Sequence, residues 1–302
     1  MVELETWYET YEAVERALKW RVGKPQLVSL AAMYHRRGKS FDEAEWKAIR
    51  NEWNRQTKWY SFARGQAYYS LYPALLDASD RAREMERLQS AYDQLVTAGF
   101  PRGSFTYMAA RYVASEQHVE RAALLYKQLK KTYRFVATPD DIPFVLLVMK
   151  RTWGVEEALE TIQQYVDAFQ AIRLKKGNEW LWLAQLFAAA EGNFSNERVE
   201  RFIEERRTLE RVGERFEAKQ YPFVGMLALV ELTEKEKDEW VEHYERLTSR
   251  EPLRSLRSFA LWIALEQTVD VTKGEVEWMI STIVEMMHEA QSAAIATYAA
   301  IF

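Results

Sequence analysis

Residues able to do chemistry are few in this chain. It has no cysteine and only four histidines, His35, His118, His243 and His288. The missing thiols exclude disulfides, thiolate metal sites and cysteine nucleophiles together. His288 closes Glu285-Met286-Met287-His288, a Glu-x-x-His spacing that is half of a carboxylate-bridged di-iron site. A helical bundle needs two such motifs and two further glutamates, and no second copy occurs. Because a bound metal takes three or four donors, these histidines, including His243 one turn from Glu239, read as surface or packed side chains. No metal and no cofactor is expected.

Asp140 and Asp141 are adjacent carboxylates. A general acid/base pair must converge on one pocket with separated pKa values, whereas neighbours on a helix point about 100° apart. Their place after Thr138-Pro139 suits a helix start, where a cap, a proline and two acids each have a reason to stand. Nucleophile elbows, Walker loops and dinucleotide fingerprints are missing. Gly103-Ser104 lacks the second glycine of a hydrolase elbow and reads as a loop with a serine capping the next helix. Lys127, Lys130, Lys131 and Arg134 form the densest basic cluster. Near a helix end they complement the dipole and read as a solvated face rather than an RNA contact.

Aromatic side chains are the most abundant functional material. Trp59, Tyr60 and Phe62 precede Tyr68, Tyr69 and Tyr72, and Trp180, Trp182, Tyr221 and Phe223 follow later. Rings of this kind fill helical cores and also anchor interfaces. If some line a groove, Arg64 and Lys176 would be their polar partners, and the groove would show several half-exposed rings. The candidate binding set is therefore Trp59, Arg64, Asp140, Asp141, Lys176, Asn178 and Trp182.

Helices must position these groups. Val155, Leu159, Ile162, Val166 and Phe169 are spaced four, three, four, three along one helical stripe, and Met85, Leu88, Tyr92 and Leu95 do the same. No alternating run flanked by hairpin turn residues is found, so no sheet is predicted. Long two-faced helices are predicted over Ala82–Ala98, Val119–Lys131, Val155–Ile172 and Glu197–Phe216. Between them fall short, wholly apolar ones, Pro143–Met149, Trp180–Ala190 and Tyr221–Val230, which need cover on most sides. Starts are marked by Ser40-Phe41-Asp42-Glu43, Thr233-Glu234-Lys235-Glu236 and Thr272-Lys273-Gly274-Glu275, each a capping box. Stops are marked by Gly23, Gly38, Gly99, Gly154, Gly177 and Gly192, where a left-handed residue can close a helix.

Aligning the long helices places Tyr92, Tyr126, Tyr165 and Thr208 in similar positions, a loose period of 34, 39 and 43 residues within the range of helical-hairpin solenoids. The fold class expected is all-α, a solenoid-like array of stacked antiparallel helix pairs resembling degenerate tetratricopeptide or HEAT repeats. About six or seven pairs would form one domain over residues 1–302, since no Ser, Gly or Pro-rich linker divides the chain.

The chain carries 41 basic against 45 acidic residues, a formal charge of -4, which argues against the basic stripe of a nucleic-acid binder. Its start, Met1-Val2-Glu3-Leu4-Glu5, lacks the order of a signal peptide. The longest uncharged run, Ala290–Phe302, falls short of the roughly 20 apolar residues of a membrane span. A cytoplasmic protein without a nucleic-acid or membrane partner is expected.

Several short motifs share an order. Phe41-Asp42, the run from Thr57 through Lys58-Trp59-Tyr60-Ser61-Phe62-Ala63 to Arg64, Ala98-Gly99-Phe100, Asp140-Asp141 and Lys176-Gly177-Asn178 succeed one another along the sequence. In this the chain, from roughly Leu27 onward, resembles an uncharacterised Firmicutes family, domain of unknown function 4003. The resemblance implies a helical fold and an intracellular bacterial origin, and no catalytic residue comes with it.

The functional expectation is a non-enzymatic interaction module holding a peptide or protein partner on its helical surface. The alternative is an enzyme or small-ligand binder with a site between helix pairs, using Arg64, Asp140, Asp141 or Asn178 inside an apolar pocket.

Overall fold

The computed structural model describes residues 2–58, 61–65 and 67–269, and these are helical without a strand among them. The Thr272 capping box, the Glu285–His288 motif, the Ala290–Phe302 run and Trp59 and Tyr60 lie outside the described residues. No described helix is long and apolar enough to cross a membrane.

Two compact units are present, residues 1–85 with 233–302, and residues 86–232. The first unit holds α1 (Val2–Leu18), α2 (Lys24–Arg36), α3 (Glu43–Gln56), α4 (Ala67–Asp77), α13 (Glu234–Thr248) and α14 (Arg257–Thr268). Here α1 pairs with α2 and α13 with α14, while α2 packs on both α14 and α4. Tyr8 ties the early helices to the late ones by donating its hydroxyl to the Leu247 carbonyl at 2.7 Å.

The helix α5 (Arg81–Thr97) runs from the first unit into the second. The second unit continues with α6 (Ser104–Ala109), α7 (Glu116–Thr132), α8 (Ile142–Val148), α9 (Val155–Ala171), α10 (Asn178–Glu191), α11 (Asn196–Arg211) and α12 (Tyr221–Val230). Two layers result. The apolar helices α6, α8, α10 and α12 pack in succession, and α7, α9 and α11 each cover a member of that row. This is the solenoid-like stack of helix pairs. Every residue from Trp180 to Ala189 is buried, and each large apolar side chain so covered contributes about 1.5–3 kcal/mol. Close approach within the row depends on Gly225 of α12, where a Cβ would lie 2.3 Å from Leu183 Cδ1 of α10. Tyr92, Tyr126, Tyr165 and Thr208 fall on α5, α7, α9 and α11, all four buried.

Helix ends depart from the sequence reading where local chemistry offers a better partner. Asp42, not Ser40, caps α3, its carboxylate accepting the Ala44 amide at 2.7 Å and the Glu45 amide at 3.2 Å. The Thr233–Glu236 box forms as expected. Gly38, Gly99 and Gly192 take left-handed conformations. Gly23, Gly154 and Gly177 instead precede α2, α9 and α10 in extended conformations, so they start helices rather than stop them. Ser104 is the first residue of α6 and does not cap it, Gly103 standing at that position. The helix predicted to reach Phe216 ends at Arg211, where Gly213 turns left-handed and frees Phe216 to pack between Phe202 and Tyr221.

A recurring device closes the apolar helices. Arg121 of α7 donates to the carbonyls of Met149 at 2.8 Å, Arg151 at 3.1 Å and Trp153 at 3.0 Å, just past α8. Arg151 in turn donates to Ala189 at 2.8 Å and to Ala190 at the end of α10. Arg198 of α11 does the same to Ala228 of α12. Each guanidinium meets orphan carbonyls at the negative end of a helix dipole.

Candidate functional site

The turn from α7 into α8 carries Thr138, Pro139, Asp140 and Asp141 in a single 3-10 turn. Asp141 is fully buried. Its Oδ2 accepts the Thr138 amide at 2.7 Å and its Oδ1 accepts Gln185 Nε2 of α10 at 2.7 Å. Burial pushes the carboxyl up to about 8, against the pull of these hydrogen bonds, with the neighbouring Asp140 charge adding to the rise. Asp140 accepts the Thr138 hydroxyl and, at 2.8 Å, Asn178 Nδ2 at the start of α10. Burial raises its pKa too. The two carboxyls diverge, Asp140 toward Asn178 and Asp141 toward Gln185 of α10, so they do not converge on a reacting atom. What they do is bolt the start of α8 to α10.

Of the residues expected to bind a partner, Asp140, Asp141 and Asn178 therefore come together, while Trp59 lies outside the described residues. Trp182 is buried and stacks on Phe144 of α8, with centroids 5.6 Å apart. Lys176 is exposed and stands 5.9 Å over the Trp180 ring. Arg64, in the first unit, donates to the Asn54 and Thr57 carbonyls and to the Thr57 hydroxyl at 3.2 Å, finishing α3. Among the described aromatic residues, Tyr68, Tyr72, Trp180, Tyr221 and Phe223 are buried, Tyr69 is half-buried and Phe62 is exposed.

Among the described histidines, His118 and His243 have hydrogen-bond partners within the fold. His118 is buried, accepting the Ala114 amide through Nδ1 at 3.2 Å, which leaves the proton on Nε2 for the Leu146 carbonyl at 2.8 Å. Burial lowers its pKa and keeps the ring neutral. His243 Nδ1 lies 3.2 Å from the Thr268 hydroxyl.

A different feature has the geometry of a binding site. Between α5 and α7 runs an open groove of about 700 Å³. One wall is a polar stripe of α5, Glu86, Gln89, Ser90, Asp93, Gln94 and Thr97, recurring at helical spacing beside the buried stripe. The facing wall is Glu116 and Glu120 on the first turns of α7, with Ala98 and the buried Val119 lining the remainder. Four carboxylates face this space without a cation among its lining residues, and none of the four forms an ion pair with another described residue. Sequence reasoning followed the apolar stripe of α5 and passed over its polar companion, whose signal was the same periodicity displaced around the helix.

The turns at the other end of α7 and α9 have opposite charge. Lys130, Lys131 and Arg134 sit around the α7–α8 turn, and Arg173, Lys175 and Lys176 fill the α9–α10 turn, all six exposed. The Asp140–Asn178 hydrogen bond and the edge contact of Tyr133 with Trp180, 6.0 Å between centroids, join the two turns.

A family model described as "Protein of unknown function (DUF4003)" matches residues 10–295, and the chain belongs to that family. No curated protein and no solved structure matches it.

Proposed function

We propose that this member of the DUF4003 family is a non-enzymatic interaction module whose α5–α7 groove holds a basic segment of a protein partner. The observation carrying this reading is the groove itself, with carboxylates from two helices facing one open channel and no cation among the residues lining it. An extended basic segment lying there would place lysines or arginines between Glu86 and Asp93 on one side and Glu116 and Glu120 on the other. Charge complementarity of this kind sets partner choice and association rate. The small groups Ser90, Thr97 and Ala98 leave room for a main chain to approach. The enzymatic alternative would use Arg64, Asp140, Asp141 or Asn178, yet the Arg64 guanidinium closes α3, and the two carboxyls and Asn178 Nδ2 hydrogen-bond in joining α8 to α10.

The test is fluorescence anisotropy with a labelled ten-residue peptide alternating lysine and serine, against an alternating glutamate and serine control. Binding of the basic peptide is expected to weaken steeply with salt. It should fall about tenfold, on the order of 1.4 kcal/mol, in the Glu116→Gln/Glu120→Gln double variant. Equal binding of both peptides, or no change in the double variant, overturns the reading.

A further inference from the structure

Phe135 is 93% exposed at the tip of the α7–α8 turn. An isolated surface ring is ordinary, but this one stands beside one cation on a turn that carries several more. The Arg134 guanidinium stands 5.8 Å from its centroid, and Lys130 and Lys131 are exposed on the last turn of α7. Arg173, Lys175 and Lys176 extend the positive surface through the adjoining turn, and none of the six has an ion-pair partner among the described residues. Arg173 occupies the left-handed position after α9, where glycine would be unstrained, so a guanidinium projects from a site that backbone geometry assigns to a smaller residue. No acidic residue lies in residues 130–138 or 172–178.

We infer that this turn surface docks on an anionic lipid bilayer, with Phe135 entering the boundary between headgroups and acyl chains. Charge complementarity and the form of the surface carry the assignment. An apolar side chain standing almost wholly in water, on a turn surface rich in lysine and arginine, matches an interface that is negative outside and apolar just beneath. A single-stranded nucleic acid would call for several rings able to stack successive bases in a groove, and the two turns present one exposed ring on a projecting tip. The expectation of no membrane partner rested on the lack of a spanning run, and the net charge of -4 argued against nucleic acid. Surface docking needs neither, because the charge is local. The same combination recurs in the first unit, where Trp20, 90% exposed, follows α1 between Lys19 and Arg21.

Vesicle co-sedimentation at 100 mM salt tests the inference. The full chain should sediment with phosphatidylcholine vesicles containing about 30% phosphatidylserine and remain in solution with phosphatidylcholine alone. Each juxtaposed cation strengthens such binding about fivefold, so Lys130→Gln/Lys131→Gln/Arg134→Gln should weaken it about a hundredfold. Because the chain has no cysteine, Phe135→Cys carrying an environment-sensitive dye gives a second readout: its emission should shift to the blue on anionic vesicles and stay unchanged with a single-stranded oligonucleotide. Equal sedimentation with neutral and anionic vesicles, an unshifted dye, or undiminished binding by the triple variant would overturn the inference. So would retention of the oligonucleotide at affinities the vesicles do not reach.

Discussion

Replacing Asp141 by asparagine should stabilise this protein at alkaline pH while leaving it nearly unchanged near pH 5. The carboxyl titrates near 3.8 when free and is raised to about 8 in the fold, chiefly by burial. A raised acid binds its proton more tightly in the native state than in the unfolded one. Its favourable contribution is therefore fully present below the unfolded pKa and is lost as pH climbs toward the folded pKa. Across that window the slope is about 1.4 kcal/mol per pH unit, so wild type should lose on the order of 4 kcal/mol between pH 5 and pH 8 from this group alone. Asparagine copies the protonated shape. Its carbonyl can accept the Thr138 amide, and its NH2 can meet the Gln185 side chain, turned over to offer Oε1, a buried atom that is otherwise without a partner. Urea unfolding at half-unit steps from pH 5 to pH 9, run on both proteins, reads the difference directly. The two stability curves should converge at the acid end and separate up to about pH 8, then run parallel. Parallel curves throughout, or an Asp141→Asn protein weakened equally at every pH, would refute the reasoning.

Other perturbations have equally definite outcomes. Arg121→Met removes three charge-assisted hydrogen bonds and leaves the carbonyls after α8 without donors; a loss of about 2–3 kcal/mol is expected in chemical denaturation. Gly225→Ala gains about 1 kcal/mol of helix propensity but drives a Cβ to 2.3 Å from Leu183, a side chain with no exposed surface to move into. Overpacking of about 1–3 kcal/mol should prevail, lowering the melting temperature. Arg64→Gln should destabilise the first unit by about 1–2 kcal/mol, read as faster hydrogen exchange at the α3 C-terminus, and should leave affinity for the basic peptide unchanged.

How much of this was written in the chain differs by level. The apolar helices were legible because Trp180 to Ala190 has no polar face, and a segment of that kind has one place to go. The pairing of layers followed from the two-faced helices beside it. Helix ends were less legible. Gly23, Gly154 and Gly177 carry the same side chain as Gly192, and a glycine that opens a helix differs from one that closes it only in backbone angles. The Asp140-Asp141 pair was located correctly at a helix start, but its fixed partners, Asn178 and Gln185, stand about forty residues away and cannot be read from local spacing. The aromatic residues were ambiguous for a related reason: identical rings serve a core or an interface, and exposure alone separates Phe135 from Phe223. The arginines that close α8, α10 and α12 gave no local signal, because the carbonyls each one meets lie far along the sequence, from 28 to 39 residues away.

The first unit draws its helices from both sides of the second in the sequence, with the whole second unit synthesised between them. During translation, residues 86–232 can gather their own contacts as they leave the ribosome. The rings of Trp7, Tyr8 and Tyr11 have no such option, since the Leu247 carbonyl that receives the Tyr8 hydroxyl is made more than two hundred residues later. At a synthesis rate of about 5–20 residues per second, the early helices wait on the order of ten seconds or more with apolar surface uncovered. That interval gives chaperones a reason to attend the nascent chain, and it makes α1 and α2, rather than the second unit, the place where aggregation would begin.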